Sequence, residues 1–180
     1  AAGAFLAATA VLPQPWARHA WVLAAGAIQL RLIANLLDGM VAVEGKRCWP
    51  VGELYNEVPD RISDAATLIG LGYSAGGSPT CGYLAACAAL FTAYVRAAGR
   101  VAGAPQDYSG PMAKQQRMFV ATVVSLYSGV APMDWQPAWG TDGTWGLAAA
   151  ALLVICIGCL VTAARRLVRA AHRLRERGAP

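Results

Sequence analysis

The chain of 180 residues is apolar and basic: 57% of its residues are hydrophobic, only 14% are charged, and the formal net charge is +5. This composition excludes an ordinary soluble domain of this size and predicts a single integral membrane domain over residues 1–180. The positive charge lies at segment ends, where it indicates membrane topology and contact with anionic lipid rather than nucleic-acid binding.

Hydropathy predicts an all-α fold, an integral membrane bundle of six transmembrane helices. The first segment, residues 1–12, would rise only about 18 Å as a helix, against a hydrocarbon core of roughly 30 Å. We therefore expect the chain as given to begin inside its first membrane helix; the alternative is a mature chain after signal cleavage. The other helices are predicted at 16–43, 52–73, 79–99, 111–131 and 144–161, and the last is expected to continue into a basic helical tail at 163–180.

The second and third predicted helices each carry a polar face. Two sets of residues recur at helical spacings of three and four, and these are Asn35, Asp38 and Ala42 on the second helix and Gly52, Asn56, Asp60 and Asp64 on the third. Ionisable groups at membrane depth persist mainly where they pair, face a watery cavity or hold ions, so this helix pair is the candidate site. Its carboxylate and amide oxygens suit Mg²⁺, Mn²⁺ or Ca²⁺ and suit zinc poorly. Pro59 is expected to bend the third helix beside Asp60 and open room for a ligand.

Charge placement predicts the orientation of the bundle. Basic residues follow the second, fourth and sixth helices, whereas the turns after the third and fifth helices contain no Lys or Arg. By the positive-inside rule the first group is cytosolic. We therefore expect a protein of the bacterial inner (plasma) membrane whose site faces the cytosol.

The polar spacing resembles the motif of the CDP-alcohol phosphatidyltransferases, Asp-x2-Asp-Gly-x2-Ala-Arg-x8-Gly-x3-Asp-x3-Asp. This chain reads Asn35-x2-Asp38-Gly39-x2-Ala42-Val43-x8-Gly52-x3-Asn56-x3-Asp60, with every spacing kept. Asn stands at the first and third aspartate positions, and Val43 stands where the family has arginine. The sequence around residues 52–65 is similar to a sub-branch in which Asn at the third position occurs together with an additional aspartate, here Asp64.

The resemblance implies a transferase of phospholipid biosynthesis that moves a phosphatidyl or similar group from a CDP-linked donor to a hydroxyl and releases CMP. It implies a bound Mg²⁺ or Mn²⁺, with Asp38 as a metal ligand and Asp60 as both a metal neighbour and the general base. It also implies that Gly39, Ala42 and Gly52 are small so that the cytidine and the diphosphate can lie against the helices. A homodimer is implied by the resemblance alone.

The amides at Asn35 and Asn56 occupy the other metal-ligand positions of the motif. They remove up to two negative charges, which should weaken binding of a divalent ion unless another acid compensates. Asp64, one helical turn beyond Asp60, is the preferred candidate, with Glu53 and Glu57 as alternatives. The number of metal ions stays open.

Basic residues are the candidates for phosphate contacts. The family arginine that Val43 replaces would contact phosphate, and Arg31, Lys46, Arg47 or Arg61 could take its place. Of these, we predict Arg31 and Lys46 as contacts of the nucleotide and its diphosphate. By resemblance, the basic residues at the cytosolic ends of the fourth and fifth helices bind an acceptor phosphate, and these are Arg96, Lys114 and Arg117. The alternative for these three is that they only extend their charged ends to the membrane interface.

Together, these observations favour transfer of a phosphatidyl group from CDP-diacylglycerol to a polar alcohol, phosphorylated or not, within a lipid membrane. Two alternatives stay open. One is a head-group transferase that uses a CDP-linked alcohol and diradylglycerol, and the other is a non-catalytic membrane binding or assembly protein with a degenerate site. A transporter is disfavoured because the polar residues gather near one membrane face and no internal repeat is visible.

Overall fold

The fold is mostly helical. A computed structural model describes residues 1–44, 50–139 and 145–178, with side chains for all of these except residues 41–44, 50–54, 56, 177 and 178. In chain order the elements are α1 (Ala2–Ala8), α2 (Trp16–Glu44), α3 (Pro50–Gly72), α4 (Pro79–Val101), α5 (Lys114–Val130), a 3-10 turn (Met133–Trp135), β1 (Ala138–Trp139), β2 (Trp145–Gly146) and α6 (Leu147–Gly178).

In the part of the chain that the structure describes, three helices are long and apolar enough to cross a membrane, which indicates a membrane protein. These segments are Trp16–Met40 of α2, Pro79–Val101 of α4 and Leu147–Glu176 of α6. Within the described residues α1 has only 7 residues and α5 has 17, and the charged residues of α3 lower its hydropathy. The described residues therefore form six helices, as predicted. That all six cross the membrane stays a prediction.

The helices pack through small residues. α4 lies between α3 and α6, α2 packs along α5, and α1 packs against α2 and α3. A methyl group added at Gly72 of α3 would lie 2.9 Å from the Cα of Gly82 in α4, and one added at Gly70 would lie 2.3 Å from the carbonyl oxygen of Gly3 in α1. Glycine at these crossings lets the backbones approach to near contact, as is common between membrane helices.

α5 begins three residues later than the predicted start at residue 111. Gly110 has a φ of +147°, and a Cβ there would lie 2.3 Å from Cγ2 of Thr162 in α6. The backbone N–H of Met112 donates to Oγ1 of the same threonine at 3.0 Å. These contacts with α6 hold residues 110–113 as a loop, and a helix would require a different backbone there.

Besides the helices, the described part of the chain contains two short strands that form an antiparallel pair, which the all-α prediction does not include. Ala138 pairs with Gly146 and Trp139 pairs with Trp145. The N–H of Gly146 also donates to the carbonyl of Gly76 at 2.8 Å, which ties the pair to the turn after α3. Two-residue strands have no measurable periodicity in the sequence, so hydropathy could not reveal them.

α6 and α3 are both continuous helices. α6 continues without interruption from its apolar part to Gly178, and the basic residues of the tail predicted at 163–180 lie on this helix as far as it is described. α3 continues through Pro59 as one helix. The predicted bend beside Asp60 stays a prediction.

Candidate active site

Arg31 of α2 bridges two carboxylates of α3. Its Nη1 donates to Oδ1 of Asp64 at 2.7 Å, and its Nη2 donates to Oδ1 and to the carbonyl oxygen of Asp60, both at 2.9 Å. One helical turn further along α2, Nδ2 of Asn35 donates to the same Oδ1 of Asp60 at 2.8 Å. The polar sides of α2 and α3 therefore meet through these four residues.

α5 supplies two more cations to the same carboxylates. Nζ of Lys114 forms an ion pair with Oδ2 of Asp60, and Nη2 of Arg117 donates to Oδ2 of Asp64 at 3.1 Å. Lys114 and Arg117 lie one turn apart, so a single side of α5 reaches both acids. Every carboxylate oxygen of the two aspartates thus accepts a hydrogen bond from a cation, and we call these five residues with Asn35 the carboxylate cluster.

Arg117 is buried, whereas a phosphate-binding side chain at a helix end is expected to be exposed. Its side chain and that of Asp64 are each only about 2–3% exposed, and its Nη1 also donates to the carbonyl of Met112 at 3.0 Å. Buried charges are costly unless they are paired, so removal of either partner should weaken the contact between α3 and α5. The predicted phosphate role of Arg117 competes with this pairing.

A cavity of about 350 Å³ opens beside the carboxylate cluster. It lies between α3, α4, α5, α6 and the loop after α4, and it is lined by Glu57, Asp60, Arg61, Thr92, Ala93, Arg96, Tyr108, Ala113, Lys114, Gln115, Arg117 and Arg166. Five of these residues are cationic and two are acidic, so the cavity favours an anionic ligand.

Glu57 joins two arginines across this cavity. Its Oε1 accepts from Nη2 of Arg96 at 2.7 Å, and its Oε2 accepts from Nη2 of Arg61 at 2.5 Å. The guanidinium of Arg96 also lies over the ring of Tyr108, with Cζ 5.0 Å from the ring centroid. Arg96 is therefore oriented toward the cavity by an acid on one side and an aromatic ring on the other.

Arg166 closes the cavity from α6. It is 7% exposed and donates to the carbonyls of Tyr108 and Ser109 at 3.0 Å and of Thr92 at 3.4 Å. These bonds hold the loop after α4 over the cavity. No sequence pattern distinguishes Arg166 as a site residue, because it is one of many arginines in the basic tail. The i, i+4 spacing of Glu57 and Arg61, in contrast, does indicate an ion pair.

The other predicted site residues lie elsewhere or outside the described part of the chain. Asp38 and Gly39 are exposed on α2, and a side chain at Gly39 would have nothing within 4 Å of its Cβ. Lys46 lies outside the described residues, and so do the side chains of the motif positions Ala42, Gly52 and Asn56. Their roles stay predictions.

The carboxylate cluster has the donor chemistry that a Mg²⁺ or Mn²⁺ ion requires. Asp60 and Asp64 offer carboxylate oxygens, and Asn35 contributes an amide next to Asp60. In the described ranges, no three His, Cys, Asp or Glu side chains converge on one point. Because cations already bind the oxygens of both aspartates, a divalent ion fits here only by displacing one of them.

The chain is similar to a curated protein named phosphatidylinositol phosphate synthase, from Streptomyces avermitilis. The two are 27% identical over 147 residues, which cover 78% of this chain and 58% of that protein. The chain therefore spans somewhat more than half the length of this relative. No protein-family model matches the chain. The similarity supports the resemblance to the CDP-alcohol phosphatidyltransferases at the level of the family.

Proposed function

We propose that the protein is a membrane phosphatidyltransferase that moves a phosphatidyl group from CDP-diacylglycerol to the hydroxyl of a polar alcohol and releases CMP. The observation that carries this proposal is the position of Asp60, which contacts α2 through Asn35 and also lines a cationic cavity next to Lys114. The similarity to a phosphatidylinositol phosphate synthase supports the same class of reaction.

The reaction requires three tasks of the site. The acceptor oxygen forms a bond to the phosphorus of the phosphatidyl group, the bond from that phosphorus to the oxygen of CMP breaks, and the acceptor gives up its proton. The site must therefore hold the two reactants in line, neutralise the charge of the leaving CMP and accept the proton. Asp60 is the proposed base, because its carboxylate contacts α2 through Asn35 and also lines the cavity.

A divalent ion is part of this proposal. Mg²⁺ or Mn²⁺ would be held by Asp38, Asn35 and Asp60, with Asn56 and Asp64 as further oxygen donors, and when bound it would neutralise charge on the diphosphate. The open side of α2 at Gly39, with Ala42 and Gly52 near it in the motif, is the proposed position of the cytidine and diphosphate.

The cavity is the proposed site of the acceptor. Its excess of cations over acids suits an alcohol that carries a phosphate group, with Arg96 and Lys114 as contacts. A relative named for the synthesis of phosphatidylinositol phosphate points in the same direction, toward a phosphorylated polyol. By the positive-inside rule we place this end of the protein at the cytosolic face of the bacterial inner membrane.

A direct assay tests the proposal. Purified protein in lipid nanodiscs is incubated with CDP-diacylglycerol, Mg²⁺ or Mn²⁺ and a panel of alcohols that includes inositol, inositol phosphate and glycerol phosphate, and release of CMP is measured. Release with one acceptor that is lost in Asp60→Asn supports the proposal. No release above that variant with any acceptor contradicts it. Exchanging the donor for a CDP-linked alcohol with diradylglycerol tests the head-group alternative.

One observation favours a second candidate function, a non-catalytic binding or assembly protein. Cations occupy all the carboxylate oxygens of Asp60 and Asp64, and amides replace acids at Asn35 and Asn56. A site of this kind would bind a cytidine nucleotide or an anionic lipid without turnover. Measured turnover in the same assay would exclude it.

A further inference from the structure

We propose that Arg31 is an internal cation that competes with a divalent metal for Asp60 and thereby sets the metal affinity of the site. This inference rests on the metal site included in the proposed function, and it concerns a residue that the motif does not contain. It predicts a site that binds metal weakly while Arg31 is in place.

The contacts of Arg31 resemble those of a bridging ion. Its guanidinium bonds Asp60 and Asp64 at once, at 2.9 and 2.7 Å, and adds a bond to the Asp60 carbonyl. A guanidinium has five N–H donors in a fixed fork, stays charged at all relevant pH values and suits this two-sided geometry. The side chain of Asp64 is almost completely buried and that of Arg31 is 20% exposed, so the Asp64 end of this bridge is the more shielded from water.

The carboxylate cluster already contains more positive than negative groups, so a metal ion cannot bind there unless the cluster rearranges. Two carboxylates face three cations, Arg31, Lys114 and Arg117. A divalent ion added without rearrangement would lie beside three positive groups in surroundings that screen charge poorly, and like charges at such distances repel strongly. Metal binding must therefore move at least one cation away from the acids.

Arg31 is the cation that a metal would displace. Oδ1 is the carboxylate oxygen of Asp60 that contacts α2, the helix that carries the motif positions Asn35 and Asp38, so a metal held by these residues would compete for that oxygen. That oxygen accepts from Arg31 and Asn35, whereas Lys114 binds Oδ2 from the cavity side. Arg117 is buried against Asp64 and is held by a backbone carbonyl as well.

Asn35 supports the same competition. Its amide nitrogen donates to Oδ1 of Asp60, and a metal ion needs the amide oxygen instead. If Asn35 and Asp60 were to hold an ion together, the amide would have to turn and Arg31 would have to leave the same oxygen. Both changes oppose metal binding in the resting protein.

Titration of the purified, substrate-free protein with Mn²⁺, followed by electron paramagnetic resonance of the free ion, tests the inference. Arg31→Gln removes the charge and should tighten Mn²⁺ binding by about tenfold or more, because one contacting like charge is lost. Arg31→Lys keeps the charge and should bind as weakly as the wild type. Arg31→Met is a second neutral replacement if the Gln variant does not fold.

The matched control is Arg61→Gln, which removes one charge from α3 at a residue that pairs with Glu57 instead of the aspartates. It should change Mn²⁺ affinity by less than about threefold, since its charge does not contact the ion's ligands. Adding Asp60→Asn to Arg31→Gln should abolish the gain. Equal or weaker Mn²⁺ binding by both neutral Arg31 variants, or an equal gain in Arg61→Gln, overturns the inference. Because binding is measured without turnover, this result is independent of the CMP assay.

Discussion

Asp64 of α3 and Arg117 of α5 form an ion pair of 3.1 Å in the interior of the protein, with side chains only about 2–3% exposed. Arg117 is also held by the carbonyl of Met112, and Asp64 also accepts from Arg31. This pair joins two helices on either side of the proposed acceptor cavity, so it gives Asp64 a role in stability that is separate from any role in metal binding.

The first prediction concerns this buried pair. Asp64→Ala leaves Arg117 charged and without its acid, and removal of one partner of a buried pair costs about 3–5 kcal/mol of stability. Arg117→Met together with Asp64→Leu removes both charges and should be less destabilising than Asp64→Ala alone. Unfolding of the three proteins in detergent, measured in the absence of divalent metal, checks the order. Equal stability of Asp64→Ala and the wild type would contradict a structural role for the pair.

The second prediction concerns Lys114, which pairs with Asp60 and lines the cavity. Lys114→Gln should lower kcat/KM for the acceptor by about 10- to 100-fold, the effect of losing one hydrogen bond to a charged group. The loss should be larger for a phosphorylated acceptor than for the same alcohol without phosphate. CMP release at varied acceptor concentration measures both values, and Arg173→Gln on the exposed part of α6 is the control. An equal loss for both acceptors would argue against contact with the phosphate.

The meeting of α2 and α3 illustrates what sequence spacing predicts well. Helical intervals of three and four predict that Asn35 and Asp60 lie on the polar sides of their helices, because helix geometry alone determines which residues share a side. Their contact at 2.8 Å agrees with that assignment.

The partners of the charged residues were not predictable in the same way. Arg31 is a predicted phosphate contact, but it bridges Asp60 and Asp64. Arg117 is a predicted contact of the acceptor phosphate, but it is buried and bonds to Asp64. Which acid a cation meets depends on the rotation and depth of helices that are far apart in the chain. No local pattern encodes these quantities. For the same reason the sequence does not reveal that residues 110–113 form a loop before α5, since this loop depends on contacts with α6.

The third prediction concerns Glu57, whose carboxylate neutralises Arg61 and Arg96 at the cavity wall. Glu57→Gln frees both guanidinium groups, so the cavity becomes more positive and should bind inorganic phosphate several-fold more tightly. Isothermal titration with phosphate at low and at high salt measures the change, which should shrink as salt screens the charge. Glu176→Gln on the exposed tail removes the same charge and should leave phosphate affinity unaltered. Weaker phosphate binding by Glu57→Gln would show instead that Glu57 is needed to orient Arg96.

The fourth prediction concerns Asp107, in the loop between α4 and α5. Burial alone would raise the pKa of this carboxyl, but hydrogen bonds from Ser109 and the ion pair with Arg169 at 3.0 Å hold the pKa below its usual value. A lowered pKa in the folded state means that the ionised form stabilises the protein at neutral pH, and that this contribution disappears as the pH falls through the folded-state pKa. Arg169 is partly exposed, so the contribution is at most about 1 kcal/mol.

Asp107→Asn should therefore lower the unfolding temperature in detergent at pH 7. The difference from the wild type should begin to shrink near the ordinary aspartate pKa of about 4, and it should vanish only below the lowered pKa of the folded state, where the wild-type carboxyl is also protonated. Both proteins are measured across this range in the same buffer series. Because the ion pair with Arg169 joins the cavity loop to α6, cleavage of the loop by a protease at pH 7 should also be faster in the variant. A stability difference that persists unchanged at low pH would mean that Asp107 acts through its shape and hydrogen bonds, and that its charge contributes nothing.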